Sequence, residues 1–361
     1  MAESCGEQCA PINVGQVVPL AQAVGLVLAH DVTEIVPGQS KGPAFKKGHV
    51  VAPEDLDRLA RMGKQHLYVL DVKPDELHED EAVTRLAAAL CGEGVEPVGP
   101  PSEGKLKLVA SRDGLFELDP ERLLAFNMVP DVMCATIHRH TVVRRGQTLA
   151  GVRPIPLIIA KAKVDQACAV AGAEGGLLTV KSLAPLKAGV VVTGNEVASG
   201  LIEDRFAPVI SGKLAALGSS VLDVRYCPDD RLTVSLAIQG LLSAGAEIII
   251  TTAGMSVDPD DVTRMAIADA GGRDLVYGSA VLPGAMFLVG ILAAGQREVP
   301  VLGVPACALF HPTTILDLVL PRVLAGERFD RAKIAALGHG GLCLDCRDGC
   351  RFPACGFGRG C

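Results

Sequence analysis

From residue 186 onward, short runs that are almost wholly apolar alternate with longer amphipathic stretches. AGVVVTG, SSVLDVRY and AEIIITT read as strands, the last rich in β-branched residues. A strand apolar on both faces is buried on both, as in a parallel sheet covered by helices. Between these runs, 204–217 and 230–244 carry helix-like patterns, and Gly218 is placed to stop the first. A third helix is expected over 260–270. Short strands are expected around 275–282, 287–292 and 299–303, with a last helix over 313–324. This order predicts an α/β domain with a mainly parallel open sheet over 186–326. In such sheets ligands bind at the carboxyl ends of the strands.

The first half lacks that rhythm. An amphipathic stretch over 18–29, a Gly/Lys-rich segment, a helix-like run over 53–62 stopped by Gly63, and a strand at HLYVLDV predict a small α+β module over 11–72. Over 73–185, KLKLVA, the run at 114–118, TVVRRGQTLAGV and PLIIAKAKV alternate polar and apolar residues, which suits half-exposed strands. One helix is expected near 79–90, within a β-rich module. Residues 338–361 form a Gly/Cys-rich tail too poor in apolar mass to build its own core.

Composition narrows the picture. Of 361 residues, 49% are apolar but only 3% aromatic and none is Trp, so the core is aliphatic and base-stacking platforms are not expected. The net charge of −7 argues against nucleic acid or an anionic membrane as the main partner. Neither a leader pattern nor an apolar run of spanning length is present, so the expected compartment is the cytoplasm. Twelve cysteines in a reducing compartment point to metal rather than disulfides where they cluster.

Three loops follow three strands of the last domain. They are TGNE (Thr193, Gly194, Asn195, Glu196), TAGMS (Thr252, Ala253, Gly254, Met255, Ser256) running on to Asp258 and Asp261, and GVP (Gly303, Val304, Pro305). A Pro283–Gly284 turn lies between the last two. Glycines let backbone amides approach an anion, helix N-termini add partial positive charge, and the hydroxyls of Thr193, Thr252 and Ser256 can donate to phosphate. The carboxylates of Glu196, Asp229 and Asp261 suit a hard divalent cation such as Mg2+. Turn and cap residues of the same types are common, and it is the recurrence at successive strand ends that points to a site.

VVTGNEVASG, CPDD, IIITTAGMSVDPDDVT, LPGAMFL and VLGVPA, in that order, resemble the molybdopterin-binding domain of molybdenum cofactor biosynthesis proteins, including molybdopterin molybdenumtransferases. AVGLVLAHD, FKKGH and LYVL are similar to a shortened form of segments preceding this domain, and the tail resembles that of a cysteine-rich subgroup. The resemblance implies that Thr193, Gly194, Thr252, Gly254, Ser256, Pro283, Gly284, Gly303 and Pro305 bind the pterin phosphate. It implies that Glu196, Asp229 and Asp261 handle magnesium and molybdate, and that the chain is a homodimer. Departures are Ala253 for the first Gly of a Gly-Gly pair, Asp258 for a Gly, and Ala306, Cys307 and Ala308 for Gly-Asn-Pro. The transferase segments DNSAMDGYA and a TG-x-P loop are not found in the first half.

In the tail, Cys343 and Cys346 form a C-x2-C pair, followed by Cys350 and Cys355. Four such thiolates fit Zn2+ or an Fe–S cluster, with His339 as an alternate ligand. Cys5 and Cys9 give a weaker C-x3-C signal, and the remaining cysteines read as small apolar residues, with Cys307 beside the expected pocket. His30, His49 and His78 read as solvated loop residues, and His138 and His140 as two imidazoles on one strand face.

Two functions from different classes follow. One is an enzyme inserting molybdate into adenylylated molybdopterin with release of AMP. The other is a carrier of molybdopterin or finished cofactor to a molybdoenzyme. A third assigns the tail a metal-sensing role.

Overall fold

The computed structural model describes residues 16–36, 40–70, 72–255 and 261–360. Contacts divide the chain into two compact units. One takes the chain up to Arg112 with Glu117–Ile137 and Arg144–Val180, and the other takes Asp113–Phe116, His138–Val143 and the chain from Lys181.

In the first unit, strands Gln16–Pro19 and His66–Val69 pair antiparallel, as do Val32–Val36 and Ser40–Phe45. Val18, Leu28, Phe45, Leu59, Leu67 and Val69 fill a small core beside the helix Asp55–Arg61. Gly63 follows that helix at φ +78°, which supports the stop read from sequence. A four-stranded antiparallel sheet runs in the order Val95–Ser102, Lys105–Ala110, Thr148–Pro154, Val132–Thr136. Pro97, Pro100 and Pro101 lie on its edge strand, where a missing N–H costs no ladder bond. The helix Glu79–Leu90 is where the sequence places it.

Two further helices were not expected. Asp119 caps Pro120–Asn127 by accepting from Glu121 N and Arg122 N. PLIIAKAKV is a strand only over Ile158–Ala160 and then turns into the helix Lys161–Gly172, whose Ala-rich interior favours the helix. His138 and His140 do not share a strand face, because they lie in a turn before the strand Thr141–Val143 with His140 at φ +59°. His49 and His78 are not simply solvated: His49 Nε2 lies 2.6 Å from Asp55 Oδ2, and His78 Nδ1 accepts from Asp80 N at the helix start.

The second unit is built on one six-stranded sheet. Its strands are β1 (Lys187–Thr193), β2 (Ser220–Cys227), β3 (Ile248–Thr252), β4 (Gly272–Tyr277), β5 (Leu288–Ala294) and β6 (Arg297–Val304). The order is β2-β1-β3-β6-β5-β4. The first four are mutually parallel, and β5 runs antiparallel to both β6 and β4. Helices α1 (Asn195–Ala198), α2 (Phe206–Ala216), α3 (Arg231–Ser243), α4 (Thr263–Asp269), α5 (Ile315–Leu324) and α6 (Arg331–Ala336) connect and follow these strands. Two apolar clusters cover the sheet. One joins Val190, Val192 and Ile250 to Ile210 and Leu316. The other joins Val191 and Ile249 to Ile238, Leu241 and Ile267. Alternate residues of β1 therefore enter different cores, which explains why its sequence is apolar without interruption.

Candidate functional site at the carboxyl edge of the parallel strands

The parallel register brings the predicted loops together. Thr193 pairs with Cys227, Val192 with Thr252, and Thr252 with Val304, so four strands end in one row. The TGNE, CPDD, TAGM and GVP segments continue from that row. Loops from β1 and β2 are tied reciprocally. Asn195 N donates to Asp229 Oδ2, and Asp229 N donates to Asn195 Oδ1, both at 3.2 Å. Asp230, the second acid of the pair, caps α3 by accepting from Thr233 N and Thr233 Oγ1 at 2.8 and 2.6 Å. Those bonds hold its carboxyl below the usual range.

The hydroxyls of Thr193 and Thr252 lie beneath the loops. Thr193 Oγ1 donates to Thr252 O at 3.0 Å and lies 3.4 Å from Thr263 Oγ1. Thr252 is fully buried, and its Oγ1 has no hydrogen-bond partner among the described residues. What reaches the surface of these loops is half-buried Gly194, Ala253 and Gly254, with exposed Asn195 and Glu196. Gly254 has φ +59°, and a Cβ there would stand 2.2 Å from Thr263 Oγ1. No other residue fits that position without displacing the start of α4.

Other predicted residues play packing parts. A Cβ at Gly303 would meet Met255 Cε at 2.4 Å, and one at Gly284 would meet Ile315 Cγ2 at the same distance. Pro283 follows a cis peptide bond, and its carbonyl accepts from Ile315 N at the start of α5. Pro305 is half-buried and opens a short helical turn over Ala306–Leu309. Asp261 is half-buried just ahead of α4, and Glu196 is exposed on α1. The carboxylates of Glu196, Asp229 and Asp261 do not all lie within 4.8 Å of one another. Ser256, Asp258 and Asp260 lie outside the described residues, as do Cys5 and Cys9.

A second constellation lies elsewhere in this unit. Cys343, Cys346, Cys350 and Cys355 all line one cavity of about 110 Å³. His339 is not part of it. His311, which the sequence reading passed over, is, together with Pro312, Thr313 and Asp345. Nothing in the sequence near His311 marks it, since only the fold brings the loop after β6 to the tail. By contrast Cys134 and Cys227 are buried within the protein, and burial pushes the Cys134 thiol up to about 12. Cys307 is half-buried, and burial raises its thiol too.

Comparison with known proteins follows the same division. A family described as a probable molybdopterin binding domain matches residues 189–325, and a domain of unknown function (DUF8806) matches residues 17–71. A CinA-like protein of Mycobacterium sp. (strain MCS) is 33% identical over 90 residues, covering 25% of this chain and 21% of that protein. The CinA-like protein of Mycobacterium tuberculosis (strain ATCC 25618 / H37Rv) is 32% identical over 90 residues with the same coverage. The chain thus spans about a fifth of the length of these curated relatives.

Among solved structures, the tungsten cofactor synthesizing protein MoaB from Pyrococcus furiosus aligns over 40% of this chain and 98% of its own, at 22% identity and TM-score 0.33. The protein CinA from Thermoplasma acidophilum, of unknown function, aligns over 39% and 96%, at 16% identity and TM-score 0.32. No helix among the described residues is long and apolar enough to cross a membrane. The likeness to a probable molybdopterin binding domain is thus confined to residues 189–325, the stretch that holds the row of strand ends.

Proposed function

We propose that this domain binds the phosphate end of molybdopterin at the carboxyl edge of β2, β1, β3 and β6, and inserts molybdate into the adenylylated pterin with release of AMP. The observation that supports this most is the convergence of the TGNE, CPDD and TAGM loops on adjacent strand ends, with two of them locked by the Asn195–Asp229 bracket. Glycine-rich turns at helix starts take anions through backbone amides, and the turn through Gly254 towards α4 is of that kind, whereas Gly194 N and Asn195 N already donate to Cys227 O and Asp229 Oδ2. Buried Thr193 and Thr252 hold the loops from below rather than offering their hydroxyls at the surface.

Magnesium commonly keeps several waters and takes one or two protein carboxylates along with ligand phosphates. That mode fits the spread of Glu196, Asp229 and Asp261 better than direct ligation by all three. The bound cation would also screen these acids from the molybdate anion.

The test is a turnover assay on purified protein with adenylylated molybdopterin, magnesium and molybdate. AMP release that falls at least about tenfold in Glu196→Gln and in Asp261→Ala, with pterin still bound, supports the enzyme. Tight pterin binding with no AMP release from the unaltered protein supports the carrier instead. That reading is favoured by the absence of DNSAMDGYA and the TG-x-P loop from the first half.

A further inference from the structure

The four tail cysteines come from a segment with no helix or strand over residues 343–360, yet the segment is firmly placed. Its entry is a parallel bridge between Leu282 and Leu342, with Leu282 N donating to Gly341 O and Cys343 N to Leu282 O, both at 2.8 Å. Its exit is held by Gly358 N donating to Gly340 O at 2.9 Å, and by buried Phe357, whose ring meets Phe352 edge-on at 6.2 Å. Between these anchors the chain folds back so that all four sulfurs line the same cavity. No disulfide joins them, and Cys346 and Cys350 are exposed.

We infer that Cys343, Cys346, Cys350 and Cys355 form a centre for a thiolate-seeking metal, and that the centre braces the loop after β6. Four thiolates from one short segment complete the shell of a zinc ion or of an iron–sulfur cluster. Free thiols that serve packing are commonly buried, whereas Cys346 and Cys350 are exposed. The opposite wall is polar. Thr313 Oγ1 lies 3.1 Å from Cys350 Sγ, and His311 Nδ1 lies 3.6 Å from Asp345 Oδ1. Hydroxyl and imidazole groups in such positions stabilise thiolate charge and orient the ligands.

The spacing bears on the kind of metal. A single zinc at about 2.3 Å from each sulfur sets neighbouring sulfurs about 3.8 Å apart. No three of the four thiols all lie within 4.8 Å of one another. A zinc ion would therefore draw the segment inward, whereas a cluster spreads its ligands over several iron atoms. In either case the metal fixes His311 and Thr313, and with them the loop that begins at Pro305 on the row of strand ends.

The experiment is metal and acid-labile sulfide analysis of the full chain, purified without oxygen. It is repeated after reconstitution with zinc and, separately, with ferrous iron and sulfide. Stoichiometric zinc without sulfide, or iron matched by sulfide, supports the centre and identifies it. The exposed pair Cys346→Ser/Cys350→Ser should abolish that metal while the protein stays folded by circular dichroism. Amide hydrogens of residues 307–314 should then exchange on the order of tenfold faster, with β1 and β3 unchanged. Background metal after both reconstitutions, or full retention of metal by the double variant, would overturn the centre. Unaltered exchange over 307–314 in a metal-free variant would overturn the bracing.

Discussion

Adjacent residues of the TAGM loop show opposite demands on the backbone. Ala253 has φ +65° and Gly254 φ +59°, so a left-handed pair turns the chain from β3 towards α4. Only at the second position does the surrounding structure also forbid a side chain. Gly254→Ala is expected to lower stability by roughly 2–4 kcal/mol, from left-handed strain plus the collision with Thr263 Oγ1. Thr263→Ala in the same chain should recover part of that loss in urea unfolding, because it removes the colliding atom. Thr252 carries a different cost: its buried hydroxyl has no partner among the described residues. Thr252→Val keeps the shape and removes the unpaired donor, so the midpoint of unfolding should rise, by about 1 kcal/mol in stability. A fall instead would mean that the hydroxyl is hydrogen-bonded in solution.

At the level of elements, the C-terminal sheet was readable because its burial is two-sided. AEIIITT could only be a strand covered on both faces, and β3 is buried at every position. The reversal at β5 left no comparable mark, since direction depends on the turns between strands rather than on residue type. The helix Lys161–Gly172 escaped notice because the β-branched Ile158 and Ile159 before it set a strand pattern that stops at Ala160. The loops of the site were legible as glycine-rich turns, but their hydrogen bonds were not. That Asp229 ties two loops while its neighbour Asp230 caps α3 depends on tertiary placement.

The junction of α5 and α6 gives a pH-dependent test. Arg322, buried on α5, donates to both oxygens of Glu327 at 2.7 and 2.9 Å, and Lys333 of α6 lies 3.2 Å away. Burial alone would raise the Glu327 carboxyl, but the bonds and charge of Arg322 and Lys333 outweigh it and hold it at about 2. A carboxyl depressed in the folded state contributes stability above its unfolded value and loses it as pH falls towards the folded value. Stability should therefore drop between the ordinary carboxylate range and about pH 2. Acid titration of the unfolding midpoint should be flatter in Glu327→Gln over the same interval.

For the molecule as a whole, a net charge of −7 means that an anionic ligand gains little from long-range attraction. Its affinity must come from local amides and a shared cation, so binding should need magnesium. With magnesium, molybdopterin at a hundredfold excess over its dissociation constant should stabilise the fold by about 2.7 kcal/mol. A thermal shift that persists unchanged after magnesium is chelated would contradict this. The parallel run of β2, β1, β3 and β6 also acts as a ruler. Three inter-strand intervals of about 4.8 Å set the row of loop ends at roughly 14 Å, beyond which the antiparallel β5 turns its other end to that side. A ligand must be about that long to engage the first and last loops together. Fragments carrying only the pterin or only the nucleotide can span part of the row, and joining the two in one molecule should multiply their separate affinities rather than add to them.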